Sequence, residues 1–128
     1  MTLVLDSDGV AMLAGRRARL EALRRRGEWP PVVPSVVLTE ALTGDHRRDF
    51  QEHRLLRTCD IRPVDEDLAR EAAALRTAVG ATRAPSAVDA IVVALADAVG
   101  GATVITSDPR DLRALATHST NDVKIGAS

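Results

Sequence analysis

A repeated change of rhythm constrains this chain more than any other feature. Short β-branched or leucine-rich runs, bounded by polar, Gly or Pro residues, alternate with longer stretches of helical periodicity. Parallel strands need a crossover long enough to hold a helix, so this alternation predicts β/α units wound around a parallel sheet. Strands are expected at Leu3 to Leu5, Val32 to Val33, Ile61 to Val64, Thr103 to Thr106 and, on the weakest pattern, Val123 to Ile125. Helices are expected over Val10 to Arg26 with a break near Gly15, Val36 to Thr43, Arg47 to Thr58, Glu66 to Val79, Ala87 to Val99 and Pro109 to Ala116. Pro30, Pro31 and Pro34 punctuate one strand entry and the helix start after it, and Gly100-Gly101 ends the apolar helix before the fourth strand. No repeat or linker interrupts the series. Residues 1–128 are therefore expected to form a single α/β domain with a central parallel sheet flanked by helices.

A chain of this length buries roughly two-thirds of its unfolded surface, so neither disulfides nor a structural metal is required. Cys59 is the only cysteine and no Cys/His spacing resembles a zinc site, which fits a reducing cytoplasm and a buried, inert thiol. The amino terminus meets Asp6 without a basic or apolar segment of signal-peptide type, and no apolar run approaches the roughly 20 residues that span a bilayer. A soluble cytoplasmic protein with no membrane contact is expected. The net charge of −1 argues against a uniformly basic surface for nucleic acid. Charge is nevertheless segregated, with six arginines between Arg16 and Arg26. Trp29 and Phe50 are the only aromatics, too few for a base-stacking platform of the kind single-strand-binding modules use. His46, His53 and His118 have no catalytic spacing with a serine or cysteine, and no Walker or Rossmann glycine motif is present.

In an open parallel sheet, ligands collect outside the carboxyl ends of the strands. Acids stand there. Asp6 directly follows the first strand, Asp108 follows the fourth by two residues, Glu40 sits about one turn into the helix after the second, and Asp89 sits one turn into the helix that precedes the fourth. Right-handed crossovers bring all four to one edge. Each also has a plain structural explanation. Asp108-Pro109-Arg110-Asp111 reads as a helix start with a capping aspartate, a proline at the first position and an acid in the first turn. Ser86-Ala87-Val88-Asp89 reads as a capping box, and Asp6 as a turn aspartate accepting local N–H bonds. Asp89, however, opens a helix that is apolar on nearly every side, and an isolated carboxylate buried there costs several kcal/mol unless it is paired, capping or metal-bound. Glu40 has no capping duty, because Ser35 can cap that helix alone.

The order and content of four segments resemble the PIN domains, and among them the VapC toxins of bacterial toxin–antitoxin pairs. The segments are Val4-Leu5-Asp6-Ser7, Pro34-Ser35-Val36-Val37-Leu38-Thr39-Glu40, Ala87-Val88-Asp89-Ala90-Ile91-Val92-Val93-Ala94, and Val104-Ile105-Thr106-Ser107-Asp108-Pro109-Arg110-Asp111-Leu112. The resemblance covers essentially the whole chain. It implies a PIN-like fold and an endoribonuclease that holds Mg²⁺ or Mn²⁺ on acidic residues, acts on RNA, pairs with a VapB-type antitoxin and is often a homodimer. Position by position, Asp6, Glu40, Asp89 and Asp108 match the family's acidic quartet, Asp111 a frequent accessory acid, and Thr106 the hydroxyl residue before the last aspartate. Asp6 and Asp108 are the expected direct ligands, with Asp89 and Glu40 completing the shell or orienting a water. The chain departs from the pattern at Asp8, near a place where a small hydroxyl residue is common, and at Leu112, where an aromatic is common.

Hard oxygen ligands suit the chemistry, since phosphodiester hydrolysis calls for a Lewis acid on the phosphate and an activated water. The arginines from Arg16 to Arg26 divide between a solvated face, with Leu13, Leu20 and Leu23 buried opposite, and a surface that, with Arg83, contacts RNA phosphates or an acidic antitoxin segment. Two other classes fit parts of the pattern. One is a PIN-like binding protein without catalysis, its acids serving as caps. The other is a phosphotransfer receiver or small Rossmann-like regulator, which would want a lysine after its last strands, whereas Lys124 is the only lysine and lies near the carboxyl end.

Overall fold

The computed structural model describes residues 1–80 and 84–127, and Arg83 lies outside them. Five parallel strands form one sheet in the order β3-β2-β1-β4-β5, with β1 Leu3–Leu5, β2 Val32–Pro34, β3 Asp60–Arg62, β4 Ala102–Thr106 and β5 Val123–Ala127. The helices are α1 Ser7–Leu13, α2 Arg17–Arg25, α3 Leu38–Ala41, α4 Phe50–Leu56, α5 Glu66–Val79, α6 Ala87–Ala98 and α7 Pro109–Ala116. The α/β class and parallel sheet expected from the sequence are present. A receiver is excluded by the strand order, because flavodoxin-like sheets run 2-1-3-4-5.

The strand order also sorts the helices. From β1 the chain steps through β2 to β3 in one direction, then crosses back to β4 and continues to β5 in the other. Right-handed crossovers running in opposite directions place α1 to α4 on one face of the sheet and α5 to α7 on the other. The packing agrees: α1 lies on β1 and β4 beside α3 and α4, whereas α6 lies on β1, β2 and β4 beside α5 and α7. The central position of α6 accounts for its composition, with Ala90 and every residue from Val92 to Ala96 buried. Strand β1 is buried along its whole length, as a central parallel strand covered on both faces must be.

Several boundaries differ from expectation for local reasons. Helix α1 starts at Ser7 rather than Val10, because the Asp6 carboxylate caps it by accepting the Gly9 N–H at 2.7 Å. Strand β3 starts at Asp60, whose N–H donates to the Pro31 carbonyl at 2.8 Å, and stops before Pro63, which has no N–H to continue the ladder. The segment after β2 is a 3₁₀ turn, Ser35–Val37, followed by a single α-turn. Helix α4 begins only at Phe50, because Asp49 turns inward. Its carboxylate accepts the Thr43 N–H at 2.9 Å, the Thr43 hydroxyl at 2.8 Å and the Gly44 N–H at 2.9 Å. Cys59 is half-buried rather than buried, and desolvation pushes its thiol up to about 11, so it is unreactive as expected. Among the described residues, no helix is long and apolar enough to cross a membrane.

Candidate active site

The chain reverses its direction of travel across the sheet between β1 and β4, and the crevice at the carboxyl ends of these two strands is the topological switch point. Asp6 leaves β1 there, and Thr106 ends β4 beside it. Both are buried. The Thr106 hydroxyl accepts the Asp108 N–H at 3.1 Å and stands close enough to the Asp6 carboxylate to favour its charged form. Close backbone approach completes the junction. A Cβ on Gly9 would stand 2.6 Å from the Ile105 carbonyl oxygen, so α1 packs against the end of β4 at a distance only glycine permits.

Asp89 is half-buried in the first turn of α6, where the Ser86 hydroxyl caps the helix by accepting the Asp89 N–H at 3.0 Å. Of the capping box read from the sequence, the half made by Ser86 forms, and among the described residues the Ser86 N–H makes no return bond to the Asp89 carboxylate. Burial raises the Asp89 pKa most, the Ser86 hydroxyl opposes that shift, and the charges of Asp6, Asp111 and Glu40 raise it further. Asp6 is raised above its ordinary value chiefly by burial and to a lesser extent by Asp8, against the lowering effect of the Gly9 N–H and the Thr106 hydroxyl. Asp89 thus feels carboxylates contributed by β1, α3 and α7. Residues from four separate parts of the chain share one electrostatic site.

Asp108 is placed differently from its neighbours. It occupies the N-cap position of α7, yet its carboxylate makes no capping hydrogen bond and is exposed, while Asp111, one turn further on, is half-buried. The charge acting on Asp89 from this helix is that of Asp111. Glu40 is exposed on the single turn of α3, and Asp8 is half-buried in the first turn of α1. His46 and His118 are exposed, and His53 lies half-buried on α4.

A divalent cation fits this donor set. All the candidate ligands are carboxylate oxygens, and two of them sit in a field of neighbouring negative charge that a cation relieves. Among the described residues, no three His, Cys, Asp or Glu side chains already converge on one ion position. A hard cation here keeps several waters and takes few direct carboxylates, which is the normal habit of Mg²⁺.

Two features were not legible beforehand. Asp49 falls inside the helix predicted over Arg47 to Thr58, and no periodicity marks it as a buried anchor for the loop after Glu40. Gly9 carries no motif, because the atom it must avoid belongs to a strand almost a hundred residues later.

An all-parallel sheet ordered 3-2-1-4-5, with carboxylates gathered at its switch point, defines an α/β protein built around an acidic crevice. The sequence matches the PIN domain family model over residues 10–117, and the chain belongs to that family, whose members are in general nucleases. The matched segment includes Glu40, Asp89, Asp108 and Asp111 and begins after Asp6. The fold is similar to that in the DNA-bound VapBC complex of Salmonella typhimurium, at 12% identity and a TM-score of 0.73 over 99% of this chain and 98% of that one. It is also similar to VapBC2 of Rickettsia felis bound to a promoter DNA fragment, at 16% identity and a TM-score of 0.71 over 100% and 99% of the two chains. A toxin–antitoxin complex from Klebsiella pneumoniae matches at 25% identity and a TM-score of 0.60 over 85% of this chain and 88% of that one. No curated protein matches the chain.

Proposed function

We propose that the chain is an Mg²⁺- or Mn²⁺-dependent endoribonuclease and the toxin of a VapC-type toxin–antitoxin pair. The observation that carries the reading is that Asp6, Glu40 and Asp111, brought from separate parts of the chain to the switch point of a PIN fold, all bear on the half-buried Asp89 carboxylate. A divalent cation held by these acids supplies charge neutralisation at the scissile phosphate and a more acidic water. Asp6, whose carboxylate accepts the Gly9 N–H, and Asp89, half-buried in the first turn of α6, are the inner ligands; Asp111 completes the set, and Glu40, on a short exposed turn, orients the attacking water. Asp108 stands at the rim, where it acts on waters or on the incoming strand rather than as an inner ligand.

The antitoxin partner is supported by fold similarity to chains solved within toxin–antitoxin complexes. An antitoxin is expected to occupy the acidic crevice with a basic side chain, and the toxin to associate as a homodimer. The second reading, a PIN-like binding protein without catalysis, is favoured by one observation: Asp6, like Ser86, serves as a helix cap. Incubation of the purified chain with single-stranded RNA in Mn²⁺ separates the two. Cleavage abolished by EDTA, leaving 5′-phosphate and 3′-hydroxyl ends, is expected from water attack. Cyclic-phosphate ends would rule out that route, and intact RNA would favour the binding protein. Induced expression should arrest growth, and a small neighbouring gene product should relieve it.

A further inference from the structure

Resting on the nuclease reading, we infer that the loop after Glu40 and helix α4 form a positioning surface for single-stranded RNA, with Phe50 stacking on one base and Arg54 and Arg57 holding the adjoining phosphates. Phe50 is one of two aromatics in the chain and is 56% exposed, an unusual state for the larger hydrophobic side chains here. Phe50 and Arg54, at i and i+4, share one face of α4, and Arg57, at i+7, is the residue at its carboxyl-terminal cap, while Leu55 and Leu56 face the core. The Arg54 guanidinium lies over the Phe50 ring at 5.8 Å. The exposed charges of segment 45–57 are Arg47, Arg48, Arg54 and Arg57 against Asp45 alone. Among the described residues, none of these four arginines is held in an ion pair.

The loop that joins Glu40 to this surface is hydrogen-bonded to itself. Asp49, buried immediately before Phe50, clamps Thr43 and Gly44, while Asp45 accepts the Arg47 N–H at 2.9 Å. Thr43 follows Glu40 by only three residues. Chain geometry therefore keeps Phe50 within roughly 20 Å of Glu40, a reach of a few nucleotides. One aromatic is too little for a platform but enough to anchor one base, and the flanking guanidiniums give the salt-dependent share of affinity. A preorganised loop lowers the ordering cost of binding. An acidic peptide would satisfy the arginines and leave the exposed ring without a purpose, which is why RNA is the better occupant.

The test is fluorescence anisotropy of the full chain in EDTA with a labelled 12-nucleotide single-stranded RNA of mixed sequence, a duplex of the same length and oligoglutamate. Phe50→Ala should weaken single-strand binding about 5- to 100-fold with an unchanged salt slope, spare the duplex, and be rescued by Phe50→Trp. Arg54→Gln and Arg57→Gln should each lower the salt slope by about 0.7. Thermal melts should match wild type, since these side chains are exposed. Unchanged single-strand affinity in Phe50→Ala, equal loss for the duplex, or Phe50-dependent oligoglutamate binding tighter than RNA would overturn the inference. So would a change of sedimentation state in Phe50→Ala, which would assign the patch to contact between copies. Wild type that binds RNA in this manner yet never cleaves it defeats the nuclease reading alone, whereas cleavage with no dependence on Phe50 defeats this inference alone.

Discussion

Substituting Gly9 by alanine sets local propensity against tertiary packing, and the structure fixes the winner. Gly9 lies in the first turn of α1 at an ordinary helical φ, so helix propensity alone favours alanine by about 1 kcal/mol. The added Cβ, however, would sit 2.6 Å from the Ile105 carbonyl oxygen and 3.3 Å from Leu5 Cδ2. The first of these neighbours is backbone and cannot rotate away, so α1 has to retreat from the end of β4 by most of an ångström. Overpacking of this kind costs roughly 1–3 kcal/mol, so set against the propensity gain it leaves a net loss of up to about 2 kcal/mol. For a domain of this size that corresponds to a fall in melting temperature of up to about 10 °C. The same displacement moves the Gly9 N–H that holds Asp6 Oδ1, so cleavage should fall by at least tenfold in protein that remains folded. Circular-dichroism melts of Gly9→Ala beside Ala18→Gly, at an exposed site in α2, make the contrast: both should destabilise although their propensity changes have opposite sign. A Gly9→Ala protein that melts at or above the wild-type temperature would refute the close-approach argument.

Asp89→Asn, without added metal, should melt at or above the wild-type temperature at pH 7 and lose most RNA cleavage. The Asp89 pKa is raised in the fold, so ionisation costs stability above its folded value, and that cost fades as pH falls through it toward the ordinary 3.8; melts from pH 7 to pH 4 should show the variant's advantage shrink. Mn²⁺ should stabilise wild type more than this variant, while Asp108→Asn, at the exposed rim, should retain more cleavage in the same assay. For Asp49, burial alone would raise the pKa, but the hydrogen bonds from Thr43 and Gly44 and the nearby His53 outweigh it and hold the carboxyl below its ordinary value. Its stabilisation is therefore present above the ordinary carboxylate range and lost as pH falls through the depressed value. Melts of Asp49→Ala at pH 7 should show a larger loss than Asp45→Ala, and the difference should narrow only in strong acid. Leu112, 1% exposed, should cost about 2–5 kcal/mol as Leu112→Ala in urea denaturation.

The sequence by itself determined the elements and the edge of the sheet that matters. Central parallel strands must be apolar on both faces, so Leu3-Val4-Leu5 and Val104-Ile105-Thr106 announced themselves, and α5 and α7 began and ended at the residues their periodicity and capping patterns indicated. Acids directly after such strands fall at the carboxyl edge for topological reasons, which made Asp6, Glu40, Asp89 and the Asp108–Asp111 segment readable as candidates. Spacing could not decide which of the last two acids faces the others. That depends on the rotation of α7 against the sheet, set by burial of Leu112 and Leu115, and it exposes Asp108 while bringing the charge of Asp111 to bear on Asp89. The inward turn of Asp49 and the bare backbone approach at Gly9 likewise answer to partners distant in the chain or outside any periodic pattern. Local sequence encodes local geometry, but the meeting of two surfaces is a property of the packed whole.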